Sequence, residues 1–156
     1  MEERRSQSIV QDRSFRFAIH VIAYIRRQQK DHINLVLNRQ LLRSGTSIGA
    51  NVDEALGGHS SKDFVAKLAI AAKEARETGY WLRLIRETQP CDPQELAGLL
   101  KECDGLVRIL NSIILTTRSK RASGVESEPK PRTQHSELKT QNSMKPLPHN
   151  SELPGR

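Results

Sequence analysis

The chain is poor in the residues from which disulfide frameworks, membrane spans and β-rich cores are made. Its 156 residues include two cysteines, Cys91 and Cys103. Two are too few for a disulfide framework, and they lack the spacing of a metal site, so a reducing, cytoplasmic setting is expected. No apolar run approaches the roughly 20 residues of a membrane span. The polar, charged N-terminus predicts no secretory signal. No segment alternates apolar and polar residues as a half-buried strand does. No Gly-rich loop follows a strand and no serine occupies a strand-to-helix elbow, so Gly57-Gly58 reads as a turn and not as a phosphate cradle.

Proline is scarce in the body and concentrated at the end. Pro90 and Pro93 stand alone before residue 120, and the other five of the seven prolines follow it. Residues 120–156 also hold almost no large apolar side chains. Such a segment buries too little to offset its ordering entropy, which predicts a disordered basic tail. It carries seven Lys/Arg against four Asp/Glu, which leaves 18 against 14, or +4 of the chain's +7, on residues 1–119. That body is long enough for one core. Its moderate positive charge suits a polyanionic partner but equally suits a well-solvated helical surface.

What the body does have is helical periodicity. Phe15, Ala18, Ile22 and Ile25 form one stripe between Asp12 and Gln28, and Phe17, Val21 and Tyr24 form a second beside it, so helix one is expected to meet more than one neighbour. Helix two is predicted over 36–56 and helix three over 61–88. Phe64, Leu68, Ala71, Ala75, Thr78, Leu82 and Ile85 mark the buried side of helix three. Ser60 and Asp63 resemble a capping box, with Asp in the usual Glu place. Pro90 ends helix three, and Asp92-Pro93-Gln94-Glu95 is a start signal for a fourth helix. The short links predict an all-α, antiparallel, up-down four-helix bundle over residues 1–119.

The segment Leu41–Ile85 is unusual. Gly45 and Gly49 interrupt an otherwise helical pattern at about 1 kcal/mol each relative to Ala, which points to close approach of another backbone. The turn at Gly57–Ser60 allows only an antiparallel return. The glycines are then expected to face the alanines at 69, 71, 72 and 75. Ser44, Ser47, Asn51 and Glu54 step beside the apolar stripe, with Glu74 opposite Ser44 and Lys67 opposite Asn51. This reads as a structural polar seam.

Candidates for chemistry are few. A di-metal bundle needs paired carboxylates with Glu-x-x-His, and no Glu-x-x-His occurs. Neither a metal nor another cofactor is therefore expected. Glu54 and Glu74 lie close enough to raise the question of a nuclease, without a motif to support it. Arginines are more suggestive. Arg26, Arg27, Arg43, Arg76, Arg83 and Arg86 are candidates for nucleic-acid binding, and Tyr80 and Trp81 lie among the last three as rings able to meet bases. The competing reading has Trp81 packed between subunits and the arginines merely solvated.

Arg43-Ser44, Thr46-Ser47-Ile48-Gly49-Ala50-Asn51, Glu54, Ser61-Lys62-Asp63-Phe64, Lys73-Glu74-Ala75-Arg76-Glu77-Thr78 and Tyr80-Trp81-Leu82 also carry a resemblance. They resemble the bacterial four-helix-bundle proteins encoded in intervening sequences of large-subunit ribosomal RNA, and are similar to accessory proteins of diversity-generating retroelements. The resemblance covers about residues 10–119. Gly79 departs from it, because arginine is common there in the family. The resemblance implies a homopentamer that binds RNA or DNA as a non-enzymatic accessory to a machine such as a reverse transcriptase. A protein-only scaffold and an RNA-processing enzyme are the alternatives.

Overall fold

Three short polar side chains start three of the helices. Asp31 accepts a hydrogen bond from the Asn34 amide at 2.9 Å. The Ser60 hydroxyl oxygen accepts from the Asp63 amide at 3.1 Å. Asp92 accepts from the Gln94 and Glu95 amides, with Pro93 in the first turn. Each satisfies donors that a helix N-terminus leaves unpaired. The expected capping box is half made. Asp63 is a methylene shorter than Glu, and its carboxylate accepts from the Ser60 hydroxyl at 2.7 Å.

The structure is a computed structural model that describes residues 2–28 and 31–124. Helix α1 spans Glu2–Arg27, α2 His32–Leu56, α3 Ser61–Thr88 and α4 Pro93–Ala122. No strand occurs among the described residues. Each helix packs on two others: α1 on α2 and α4, and α3 on α2 and α4. The bundle is therefore a square in cross-section, with the α1–α2 edge opposite the α3–α4 edge. Its centre holds Phe17, Val21 and Tyr24 from α1, Leu41, Ile48 and Val52 from α2, Leu68, Ala75, Leu82 and Ile85 from α3, and Leu96, Leu106 and Leu110 from α4.

Several expectations need correction. Helix α1 begins ten residues before Asp12: its first turns are mostly polar, which hides the helix in the sequence, and Val10 there already belongs to the buried stripe. Helix α2 begins at His32 because Ile33, Leu35 and Val36 are consecutive or nearly so and all at least half exposed, which hides the helical period. Helix α4 runs three residues past the expected boundary at 119. The predicted disordered tail lies, from residue 125 onward, outside the described residues. Helix α1 meets two neighbours as expected; Phe17, Val21 and Tyr24 are fully buried, Ala18, Ile22 and Ile25 are half-buried with Ile25 against the core, and Phe15 is 65% exposed.

The two glycines of α2 face α1 and not α3. A Cβ on Gly45 would lie 3.2 Å from both Val21 methyl groups, and one on Gly49 would lie 3.5 Å from the Ser14 carbonyl oxygen. The fold-back register is nonetheless as expected, since Arg43 meets Glu74 and Glu77, and Lys67 meets Glu54. The error lay in the face of α2. Its α3 side is the polar seam, and the small residues one step round the helix let α1 come close.

Candidate nucleic-acid interface

Two of the helix–helix seams are crossed by cations paired with carboxylates. On the α2–α3 seam the Arg43 guanidinium reaches Glu77 and stands 3.8 Å from Glu74. Of the residues expected in a polar seam, Glu54 and Glu74 make contacts between the helices, with Lys67 and Arg43, whereas the hydrogen bonds of Ser44 and Asn51 stay within α2. Ser44 is fully buried and donates its hydroxyl to the Gln40 carbonyl at 3.0 Å. Asn51 donates to the Ser47 carbonyl at 2.8 Å, and Glu54 takes Lys67. On the α1–α4 seam Arg13 binds Glu102 through both arms, at 2.8 and 3.0 Å, and Arg27 meets Glu95. Gly105 makes room there, because a Cβ would lie 2.6 Å from an Arg13 terminal nitrogen.

The α3–α4 edge differs. Its register is fixed by Arg76 donating to the Asn111 side-chain oxygen at 3.3 Å and by the Cys103 thiol donating to the Ala75 carbonyl at 3.0 Å. From Arg76, steps of three and four residues place Lys73, Tyr80 and Arg83 on the same shoulder of α3. From Asn111 the same steps place Lys101, Asp104, Arg108, Leu115 and Arg118 on the facing shoulder of α4. The six cations Lys73, Arg76, Arg83, Lys101, Arg108 and Arg118 are all exposed. None of them is in an ion pair among the described residues. Asp104 is the single acid among these positions. Arg83 also lies over the seam: a Cβ on Gly79 would sit 3.5 Å from an Arg83 terminal nitrogen and 3.6 Å from the Cys103 sulfur. The glycine leaves space on the seam beside which the Arg83 head rests.

The six arginines singled out from sequence thus divide. Arg76 and Arg83 come together on the α3–α4 edge. Arg27 and Arg43 are ion-pair partners on the two other seams. Arg86 pairs with its neighbour Glu87 near the end of α3, and Arg26 is exposed in the last turn of α1. Lys73, Lys101, Arg108 and Arg118, not singled out from sequence, lie beside Arg76 and Arg83 on this edge. The signal that finds them is their heptad spacing on α3 and α4, which becomes informative only once the two helices are known to be neighbours.

Other features have structural explanations. Burial pushes the Cys103 thiol up to about 12, so it stays protonated and inert. Burial likewise raises the Tyr24 phenol to about 12. No group of three or more His, Cys, Asp or Glu suited to a metal occurs among the described residues, and no helix there is long and apolar enough to cross a membrane. The α1–α2 edge exposes apolar side chains, Phe15, Ile19, Leu35 and Leu42 at 65%, 48%, 53% and 38%, and is crossed by a hydrogen bond from Gln11 to Asp53 at 2.7 Å.

The profile of the 23S rRNA-intervening sequence protein family matches residues 6–112. The chain belongs to that family. The match begins in the early turns of α1 and ends in α4, so the family domain is the bundle. Among solved structures it is similar to a Bacteroides thetaiotaomicron protein of unknown function from the S23 ribosomal protein family. The two are 36% identical with a TM-score of 0.66, over 70% of this chain and 98% of that one. No curated protein matches.

Proposed function

We propose that this member of the 23S rRNA-intervening sequence protein family binds RNA or DNA through its α3–α4 edge. It acts as a non-enzymatic, homo-oligomeric accessory to another nucleic-acid machine, such as a reverse transcriptase, in the cytoplasm. The observation that carries the reading is the set of six exposed cations on that edge, none ion-paired within the described residues, beside seams where Arg13, Arg27, Arg43 and Lys67 are each matched by a carboxylate. Of the six, Arg76 also holds the α3–α4 register through Asn111, and none of the six is neutralised by a carboxylate among the described residues. Four of the six are arginine, whose planar fork suits phosphate. The predominance of cations on the edge favours backbone phosphates as the main contacts, so affinity should fall steeply with salt.

The four large apolar side chains exposed on the α1–α2 edge support self-association, because exposed apolar surface that gathers on one face marks an interface. Five subunits is the number implied by the family resemblance. Repetition of the basic edge around a ring would let modest contacts add through avidity.

The test is a charge reversal on each type of arginine. Arg76→Glu with Arg108→Glu should weaken binding to a labelled RNA at least tenfold and lower the slope of log affinity against log salt. Arg27→Glu with Arg43→Glu should cost stability and leave that slope near the wild-type value. A wild-type protein that binds neither RNA nor DNA at low salt would favour the protein-only scaffold. Cleavage of the RNA on incubation would favour the processing enzyme.

A further inference from the structure

Tyr80 lies in the middle of the basic edge, four residues after Arg76 and three before Arg83. It is 51% exposed. On α4 the register brings Asp104 and Arg108 alongside. Exposed tyrosine on a helix surface is common, but this ring is braced. It meets the Trp81 ring edge-on, with centroids 4.9 Å apart and planes at 74°. Trp81 is in turn held by its indole N–H, which donates to Glu77 at 3.3 Å. Glu77 also receives Arg43 from α2. A chain of contacts therefore runs from α2 through Glu77 and Trp81 to Tyr80, and fixes the position of an aromatic ring that the core does not use.

We infer that the α3–α4 edge takes single-stranded nucleic acid, with Tyr80 stacking against an unpaired base while the flanking arginines and lysines hold the phosphates. The inference rests on the nucleic-acid reading above and specifies its ligand. The geometry separates the two forms. Lys73 to Arg83 covers ten residues, about 15 Å of helix axis, with cations at both ends and a ring between them. A duplex meets such a surface with its phosphates and keeps its bases stacked inside, so the ring gains nothing. A single strand splays its bases and offers their faces to an aromatic platform flanked by positive charge. Stacking is sequence-tolerant, because every base has a π-face.

The experiment uses the full chain and end-labelled probes of about 15 nucleotides: oligo(dT), oligo(rU) and a mixed-sequence duplex of equal length. Trp81, the one tryptophan of the chain, reports on its neighbour through its fluorescence. Wild type should prefer the single strands to the duplex, and these strands should quench Trp81. Tyr80→Leu should lose about tenfold in single-strand affinity, within the range of one lost stacking partner, and keep its duplex affinity. Tyr80→Phe should bind like wild type, because the ring remains. Equal single-strand affinity in Tyr80→Leu would overturn the stacking role and leave the phosphate-binding edge standing. Equal losses on single strand and duplex, or a wild-type preference for duplex, would overturn it as well. Absence of binding to all three probes would overturn both readings together.

Discussion

At the scale of single residues, the chemistry in this bundle is that of burial. Cys103 lies 1% exposed between α3 and α4 and donates to a main-chain carbonyl. Its pKa is raised first by desolvation and then by nearby Asp104. The consequence for stability has a definite sign. Below about pH 9 the thiol is protonated in both folded and unfolded chains. Between that value and about 12 the unfolded chain ionises first, holds fewer protons, and is favoured as pH rises. Urea denaturation at a series of pH values from 8 to about 11 should show stability falling through this window. Cys103→Val, close in volume, should fall less steeply over it. Identical slopes would show that the thiol ionises freely in the folded state. Tyr24, raised to about 12 by burial, adds a similar loss from about pH 10 in both proteins.

At the scale of elements, the contact between α1 and α2 runs over two glycines of α2. They permit it unequally. Gly45 has both Val21 methyl groups at 3.2 Å from its virtual Cβ, whereas the nearest atom to that of Gly49 is at 3.5 Å, an ordinary contact. Gly45→Leu should therefore destabilise by about 1–3 kcal/mol or more through overpacking. Gly49→Ala should be neutral, or stabilise by up to about 1 kcal/mol, by removing glycine's conformational freedom within a helix. Thermal melts distinguish the two, and a similar melting temperature for Gly45→Leu and wild type would place that glycine away from α1. Much of this architecture is legible in the sequence. The heptad steps of α3 and the Asp92-Pro93 signal locate two helices closely, and the Gly57–Ser60 turn sets the α2–α3 register. What cannot be read is which neighbour a given face meets. Periodicity shows that Gly45 and Phe15 lie on particular stripes. It does not show that the first stripe meets Val21 or that Phe15 points outward. The same limit governed the candidate site: Arg76 and Arg83 are recognisable from α3 alone, whereas Arg108 and Arg118 join them only through the α3–α4 contact.

At the scale of the whole molecule, the square bundle carries different chemistry on opposite edges. The α1–α2 edge exposes Phe15, Ile19, Leu35 and Leu42. The α3–α4 edge exposes six cations around Tyr80. The two remaining seams are latched by ion pairs. On the proposed function, one edge would assemble copies while the other stays free for a polyanion, and the two roles would be separable. The direct measurement is of mass by light scattering and affinity for a labelled single-stranded RNA, made side by side on two charge variants. Phe15→Glu with Leu42→Glu should give a helical monomer whose affinity falls through lost avidity. Arg76→Glu with Arg108→Glu should keep the wild-type oligomeric mass and lose binding at least tenfold, with a shallower salt dependence. A monomeric wild type, or an intact oligomer whose affinity and salt slope survive reversal of Arg76 and Arg108, would contradict the account.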